Sequence, residues 1–387
     1  MPANKPYVII LFFLSIVIIS FDGCKKDAPQ STPLMTVTNL NGPTDGTILV
    51  APFNIDGTGS GNLYILDKNG SVLSSKTFPY NILDFKKWVI NGVTMYSYNE
   101  YNPNGYHIPG VTYSSGDEVI TDANLNEIGR FDFLPDNGRS SSQNLLDSHD
   151  FILLSSTHYI GIGYYQKKVS NVPASLNPSP SLEVVAPIIQ EVNNSKVTWE
   201  WDATNFPELY LSSTSGDFSD STQVDDYAHM NSIYIDGKDS NLIISFRYLN
   251  EIIKVSRTDG SIIWRLGGAN SDFPLTSNQK TVWQHNASLT DSGQTLLVFD
   301  NGEAGVRAST RIVEYQLDEV NKQVLSFKSF PIPNNIFTSA MGSVQKRGNT
   351  YFIDGGTGNY VLETDYTTGK ILFQMTMTEP SYRAFKY

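Results

Sequence analysis

Cysteine is almost absent from this chain of 387 residues: there is one, Cys24. No disulfide can form within the chain, so the fold must be held by its core, whatever the redox state of its compartment. Positive charge is also short. Lysine and arginine number 27 against 39 aspartates and glutamates, a formal net charge of −12. That balance excludes nucleic acid and acidic membrane surfaces as partners. An anionic ligand could bind only where arginines locally reverse the field. Histidine is scarce, with five in all, so any clustering of histidines carries information. Amphipathic helical periodicity is missing beyond the first two dozen residues.

Long apolar runs are limited to one, from Tyr7 to Phe21. It falls short of the roughly 20 residues that cross a bilayer and has the form of a signal-peptide core. Gly23-Cys24 follows directly, in a context similar to a relaxed lipobox, with Phe21 and Asp22 departing from the usual small residues. The expectation is a lipoprotein signal peptide over residues 1–23, a lipid on Cys24, and a tether with a short β segment over 24–45. The mature chain would be exported and held in the cell envelope, facing the periplasm or the outside. It would touch the membrane only through that lipid.

What is present instead is β pattern. Short runs of Val, Ile, Tyr, Phe and Thr alternate with Asn-Gly, Asp-Gly and Thr-Gly turns, which predicts an all-β protein. "NLYILDKNGSVLSS", "EVITDANLNEIGRFDF", "EIIKVSRTDGSIIWRL" and "YVLETDYTTGKILFQM" read as copies of one hairpin. A different hairpin precedes most of them, as in "LDFKKWVINGVTMYSYN" and "HDFILLSSTHYIGIGYY". Two hairpins make four antiparallel strands, and a recurring four-stranded unit is the mark of a propeller blade. Units beginning near Thr47, Leu83, His149, His229, His285 and Ala340 predict a six-bladed β-propeller over residues 46–387. "SNVPASLNPSPSLEVV" reads as an inserted loop.

His149, His229 and His285 each stand where a unit's first strand begins. First strands line a propeller's central channel, so the three should meet at one mouth. Asn231 lies two residues beyond His229 and so points the same way in a strand. Arg247 ends the returning strand and should stand beside His229. His107 and His158 lack this placement and read as structural or loop residues.

Three histidines suit a zinc site, or the handling of an oxyanion by imidazole and the guanidinium fork. The second is favoured, because Arg247 would stand beside the metal and no nearby carboxylate repeats with the histidines. A non-catalytic binding propeller and a metal-dependent hydrolase or lyase are the rival readings. Trp199, Trp201 and Trp264 read as blade packing, and Trp283 as either packing or an aryl contact at the mouth. Arg307, Arg311 and Arg383 could add positive potential, with Arg311 and Arg383 equally suited to structural pairs. Asp300, in "DNG", reads as a turn residue, and "GGTGN" is no phosphate loop because a strand follows it.

"DDYAHMNSI", "IISFR", "GSIIWRLGG", "WQHNASL", "LLVFDNG", "STRIVEYQLD" and the closing "SYRAFKY" occur in an order that resembles the bacterial arylsulfate sulfotransferases. The resemblance runs over about residues 145–387 and more loosely before. It implies a six-bladed propeller that moves a sulfuryl group from an aryl sulfate to a phenol through a sulfohistidine, with no nucleotide sulfate donor, cofactor or metal. It further implies His285, in "WQHNASL", as the transient acceptor. His229 and Asn231 match the family's H-x-N motif, Arg247 its arginine, and His149, in "SHDF", the remaining active-site histidine. The chain departs from the family in lacking a larger N-terminal β domain and a cysteine pair.

The lipid anchor is directly testable. Cys24→Ser should release the protein from membranes or stall its processing, read by fractionation and gel migration. Unchanged membrane association and migration would contradict it.

Overall fold

The computed structural model describes residues 34–57, 59–111, 115–139 and 146–387; Cys24 and the signal peptide lie outside them. The strands form six antiparallel blades of four, a six-bladed β-propeller. The innermost strands of blades two to six are Ile82–Ile90, Phe151–Ser155, Met230–Ile235, Asn286–Thr290 and Ser343–Arg347. Among the described residues, no helix is long and apolar enough to cross a membrane.

The sequence reading departs from the structure at the first blade. Thr47 does not open an inner strand; Ile48–Pro52 is the second strand of its blade. The inner strand comes from the other end of the chain, Ser381–Lys386, which pairs antiparallel with Ile48–Pro52. The physical reason is closure. A ring of sheets has a seam where its ends meet, and pairing the two termini satisfies backbone groups that would otherwise form open edges. A second overlap lies next to it. Met35–Leu40 adds a fifth strand to blade six by pairing with Ile371–Met377.

The repeated hairpin is the third and fourth strands of a blade, and its turn has a local cause. Asp67 accepts backbone N–H bonds from Asn69 and Ser71, both at 2.8 Å. Asp122 accepts from Asn124 and Asn126, and Asp365 from Thr367 and Thr368. Each aspartate mimics a backbone turn and so fixes the register of two strands. Between neighbouring blades the apolar faces interlock into continuous clusters. One example joins Leu49 and Leu63 of blade one to Phe85, Tyr98 and Val119 of blade two. Trp201 and Trp264 are buried in such seams and donate to Gly260 O and Glu319 Oε2 of the following blades. Trp199 packs at the edge of the same seam as Trp201.

The channel is crossed by a buried ionic layer. Arg383, 1% exposed, lies 3.1 Å from Asp150 and 3.5 Å from Asp84. Lys86 pairs with the same two carboxylates. Burial pushes the Asp84 carboxyl up to about 6 against the pull of Lys86 and Arg383. Burial also works to raise Asp150, but Lys86 and Arg383 hold it below the usual carboxylate range. Arg383 is thus one of the structural pairs, and so is Arg311, which binds Asp300. Asp300 is more than a turn residue: it is fully buried, pairs with Arg307 as well, and accepts from the Val282 N–H.

Removing one partner from a buried cluster strands the others. Arg383→Met should cost about 3–5 kcal/mol in urea unfolding, because two carboxylates would then share Lys86 alone. Arg130→Ala, which breaks a solvated network with Glu100, Asp117 and Glu127, should cost no more than about 1 kcal/mol. Equal effects would contradict the assigned weight of the ionic layer.

Candidate active site at the channel mouth

Left-handed backbone delivers the site residues to the mouth. His229 has φ +52° and immediately precedes the inner strand of blade four. Trp283 has φ +51° two residues before His285, and Met341 and Gly342 have φ +64° and +93° before the inner strand of blade six. Such values are uncommon for bulky side chains and persist only where the surroundings enforce them. At Trp283 the restraint is its N–H, held by Asn250 Oδ1 at 2.7 Å. Gly342 has no alternative: a Cβ there would lie 2.5 Å from the Phe299 ring and 2.8 Å from Asp354 O.

The three channel histidines converge. The His149 ring centroid is 5.0 Å from that of His229 and 6.2 Å from that of His285. Tyr382, on the C-terminal strand, packs edge-on against His149 at 5.6 Å and His285 at 5.1 Å. Its hydroxyl donates to His149 O at 2.9 Å. His107 and His158 stay apart, His107 near Pro103 O and His158 bound to Glu191 at 2.7 Å.

Each channel imidazole is anchored through Nδ1. His285 Nδ1 lies 2.9 Å from Gly342 O. A carbonyl oxygen only accepts, so Nδ1 carries the hydrogen and the neutral ring presents Nε2 as a lone pair. His149 Nδ1 lies 2.5 Å from Asp147 Oδ1, and His229 Nδ1 3.0 Å from Asp226 Oδ2. A carboxylate oxygen accepts, so these contacts select the same tautomer. No carboxylate repeats with the histidines in the sequence, yet two of the three have a carboxylate partner in the structure. Asp147 lies two residues before its histidine and Asp226 three before its own, so no constant spacing marked them.

Burial, the charge of Arg383 and neighbouring His149 hold His285 well below the ordinary histidine value. Burial also lowers His229, against the opposing pull of Asp226. His285 is 2% exposed, and its ring is neutral near pH 7.

Arg247 stands where its strand pairing required: its N–H donates to His229 O at 2.9 Å. The side chain is buried, and its Nη2 donates to Ser339 O at 2.8 Å. Its guanidinium lies 4.4 Å over the Trp283 ring, so Trp283 is at the mouth as a platform for the cation. Among the described residues no carboxylate reaches Arg247 at ion-pair distance; Asp226 and Glu303 act on it only through space.

Asn231 departs from the simple alternation. The ladder slips between Met230 and Ser232, and the fully buried Asn231 donates from Nδ2 to Gln284 O at 2.8 Å. It ties the H-x-N strand to the residue before His285. Among the described residues, no group of three or more His, Cys, Asp or Glu side chains is arranged to hold a metal ion.

The mouth thus joins a buried cation, lacking a carboxylate partner among the described residues, to three imidazoles anchored through Nδ1. The sequence model of the arylsulfotransferase (ASST) family matches residues 25–387, and the chain belongs to that family. The arylsulfate sulfotransferase AssT of Lelliottia amnigena is 31% identical over 183 residues, which span 38% of this chain and 30% of that relative. Among solved structures, the periplasmic gluconolactonase PpgL of Pseudomonas aeruginosa aligns at a TM-score of 0.47 and 11% identity, over 89% of this chain and 99% of that one. A protein of unknown function from Bacteroides caccae aligns at 0.46 and 10%, over 89% and 99%. Neither likeness bears on function.

The neutral, buried His285 leaves a signature in stability. An unfolded histidine takes up a proton below about pH 6.5, whereas folded His285 does so only well below that. Between those values the unfolded state binds more protons, so stability present above pH 6.5 is lost as pH falls. His285→Asn should remove up to about 1.4 kcal/mol of that loss for each pH unit below 6.5. Urea midpoints of both proteins between pH 8 and 5 measure it, and parallel curves would contradict the assignment.

Proposed function

We propose that this chain transfers a sulfuryl group from an aryl sulfate to a phenol through a sulfohistidine at His285, with no nucleotide sulfate donor. The observation that carries the reading is Arg247, a buried guanidinium with no carboxylate partner among the described residues, beside an imidazole whose Nε2 lone pair is oriented. A buried cation without a counter-charge favours an anion beside it. A sulfate ester supplies that anion, and its aryl ring suits the aromatic rim of Tyr248 and Trp283.

In the first half-reaction His285 Nε2 attacks sulfur, the S–O bond to the aryl group breaks, and the phenolate leaves with the electron pair. The ring becomes cationic while the sulfuryl group stays anionic, and Gly342 O accepts from the more acidic Nδ1–H. Arg247 faces the sulfuryl oxygens as a preorganised donor. Asn231 holds the strand that carries His285. In the second half-reaction the acceptor phenol attacks sulfur, the N–S bond breaks, and the phenol's proton passes to Nε2 of His229 or His149. Asp226 and Asp147 steady the imidazolium so formed, as in other carboxylate–histidine pairs. One pocket serving two half-reactions requires ping-pong kinetics. The apolar leader before Cys24 supports placing this chemistry outside the cytoplasm, on a lipid anchor.

The reading is tested with a chromogenic aryl sulfate and varied phenol. His285→Asn should abolish transfer. Arg247→Lys keeps the charge but loses the two-pronged geometry, and should slow transfer about a hundredfold or more. Sequential kinetics, or full activity in His285→Asn, would overturn the mechanism.

A further inference from the structure

A sizeable cavity lies away from the histidines. It has a volume of about 410 Å³ and occupies the opposite end of the central channel. Every inner strand starts at the histidine mouth and runs toward this cavity. On the C-terminal strand, Tyr382 touches the histidines whereas Phe385 and Tyr387 line the cavity. Arg383, Asp150 and Lys86 form its floor, so the ionic layer separates it from the imidazoles above.

The chemistry of the walls restricts what can enter. Trp88, Ile233, Leu289 and Phe385 present flat or branched apolar surface. The charged groups lining the space are already engaged: Lys86 and Arg383 with Asp84 and Asp150, and Lys346 with Asp291 and Glu314. An ionic ligand would have to break one of these pairs or remain buried without a partner. Uncommitted polarity is uncharged. Among the described residues, the hydroxyls of Ser288, Thr290 and Tyr234 and the amide nitrogens of Asn286 and Gln345 make no hydrogen bond in the fold, while Asn286 Oδ1 accepts from the Val344 N–H and Gln345 Oε1 from the Lys386 N–H. A mostly apolar space of drug-like volume with a few uncharged polar groups is the usual form of a small-molecule site.

We propose that this far channel cavity is a second ligand site, which binds an uncharged aromatic molecule of one to three rings. The inference rests on the cavity walls and is independent of sulfuryl transfer at His285.

The probe is N-phenyl-1-naphthylamine, which is uncharged, brightens in apolar surroundings and has no hydroxyl to serve as an acceptor. Titrated into the whole protein, it should give saturable fluorescence at one probe per chain. Ser288→Trp fills the middle of the cavity and Ile235→Trp narrows its far rim; each should weaken binding about tenfold or more. Either variant suffices if the other does not fold. His285→Asn should bind the probe as the wild type does, whatever its effect on transfer. A cavity that holds only water, giving no saturable signal, would overturn the proposal. So would binding that survives a folded plug variant, or binding lost in His285→Asn.

Discussion

The buried contact of Arg383 and Lys86 with Asp84 and Asp150 is the constraint on which the rest depends. Arg383 sits on the strand that closes the ring; Asp84 sits on the inner strand of blade two and Asp150 immediately before that of blade three. A chain without disulfides thus locks its seam with charge as well as backbone pairing. Arg383 also donates to Asn231 O at 2.5 Å, which reaches across to blade four. Moving two cations and two anions out of water is costly, and only mutual pairing makes the layer tolerable. Having formed, it divides the channel into a mouth with imidazoles and a far cavity with apolar walls.

The same layer sets the electrostatics of the mouth. The chain carries a net charge of −12, yet two arginines, Arg383 and Arg247, act on His285. Burial is the main cause that disfavours a proton on His285, and both charges act in the same direction. An imidazole kept neutral is a nucleophile over a wide pH range, and a guanidinium without a carboxylate partner is open to an anion. His149 and His229 differ in that each has its own carboxylate at Nδ1. Three identical side chains thus differ in what faces their Nδ1 atoms: a neutral carbonyl for one and carboxylates for two.

Much of this was legible in the chain itself, for physical reasons that differ by residue. The blade count followed from hairpins whose aspartates build their own turns, a purely local property. The meeting of His149, His229 and His285 followed from repeat position, because blades are copies around an axis. Features made by contact between distant segments were not legible. The C-terminal "SYRAFK" is too short to announce itself as the first blade's inner strand. Asp147 and Asp226 sit at unequal offsets from their histidines. Gly342 O reaches His285 from the next blade, and the bond from Asn231 to Gln284 O crosses to another blade beside a bulge. Arg383 was ambiguous because its two carboxylates lie hundreds of residues away. The far cavity depends on how side chains fill the channel, which no period in the sequence encodes.

The central claim is that His285 carries the sulfuryl group between donor and acceptor. The most direct measurement is mass spectrometry of protein treated with an aryl sulfate in the absence of phenol. The account predicts one acid-labile sulfuryl adduct per chain, mapped to His285 and discharged on adding a phenol. An adduct on His149 or His229, or donor turnover with no adduct at all, would contradict it.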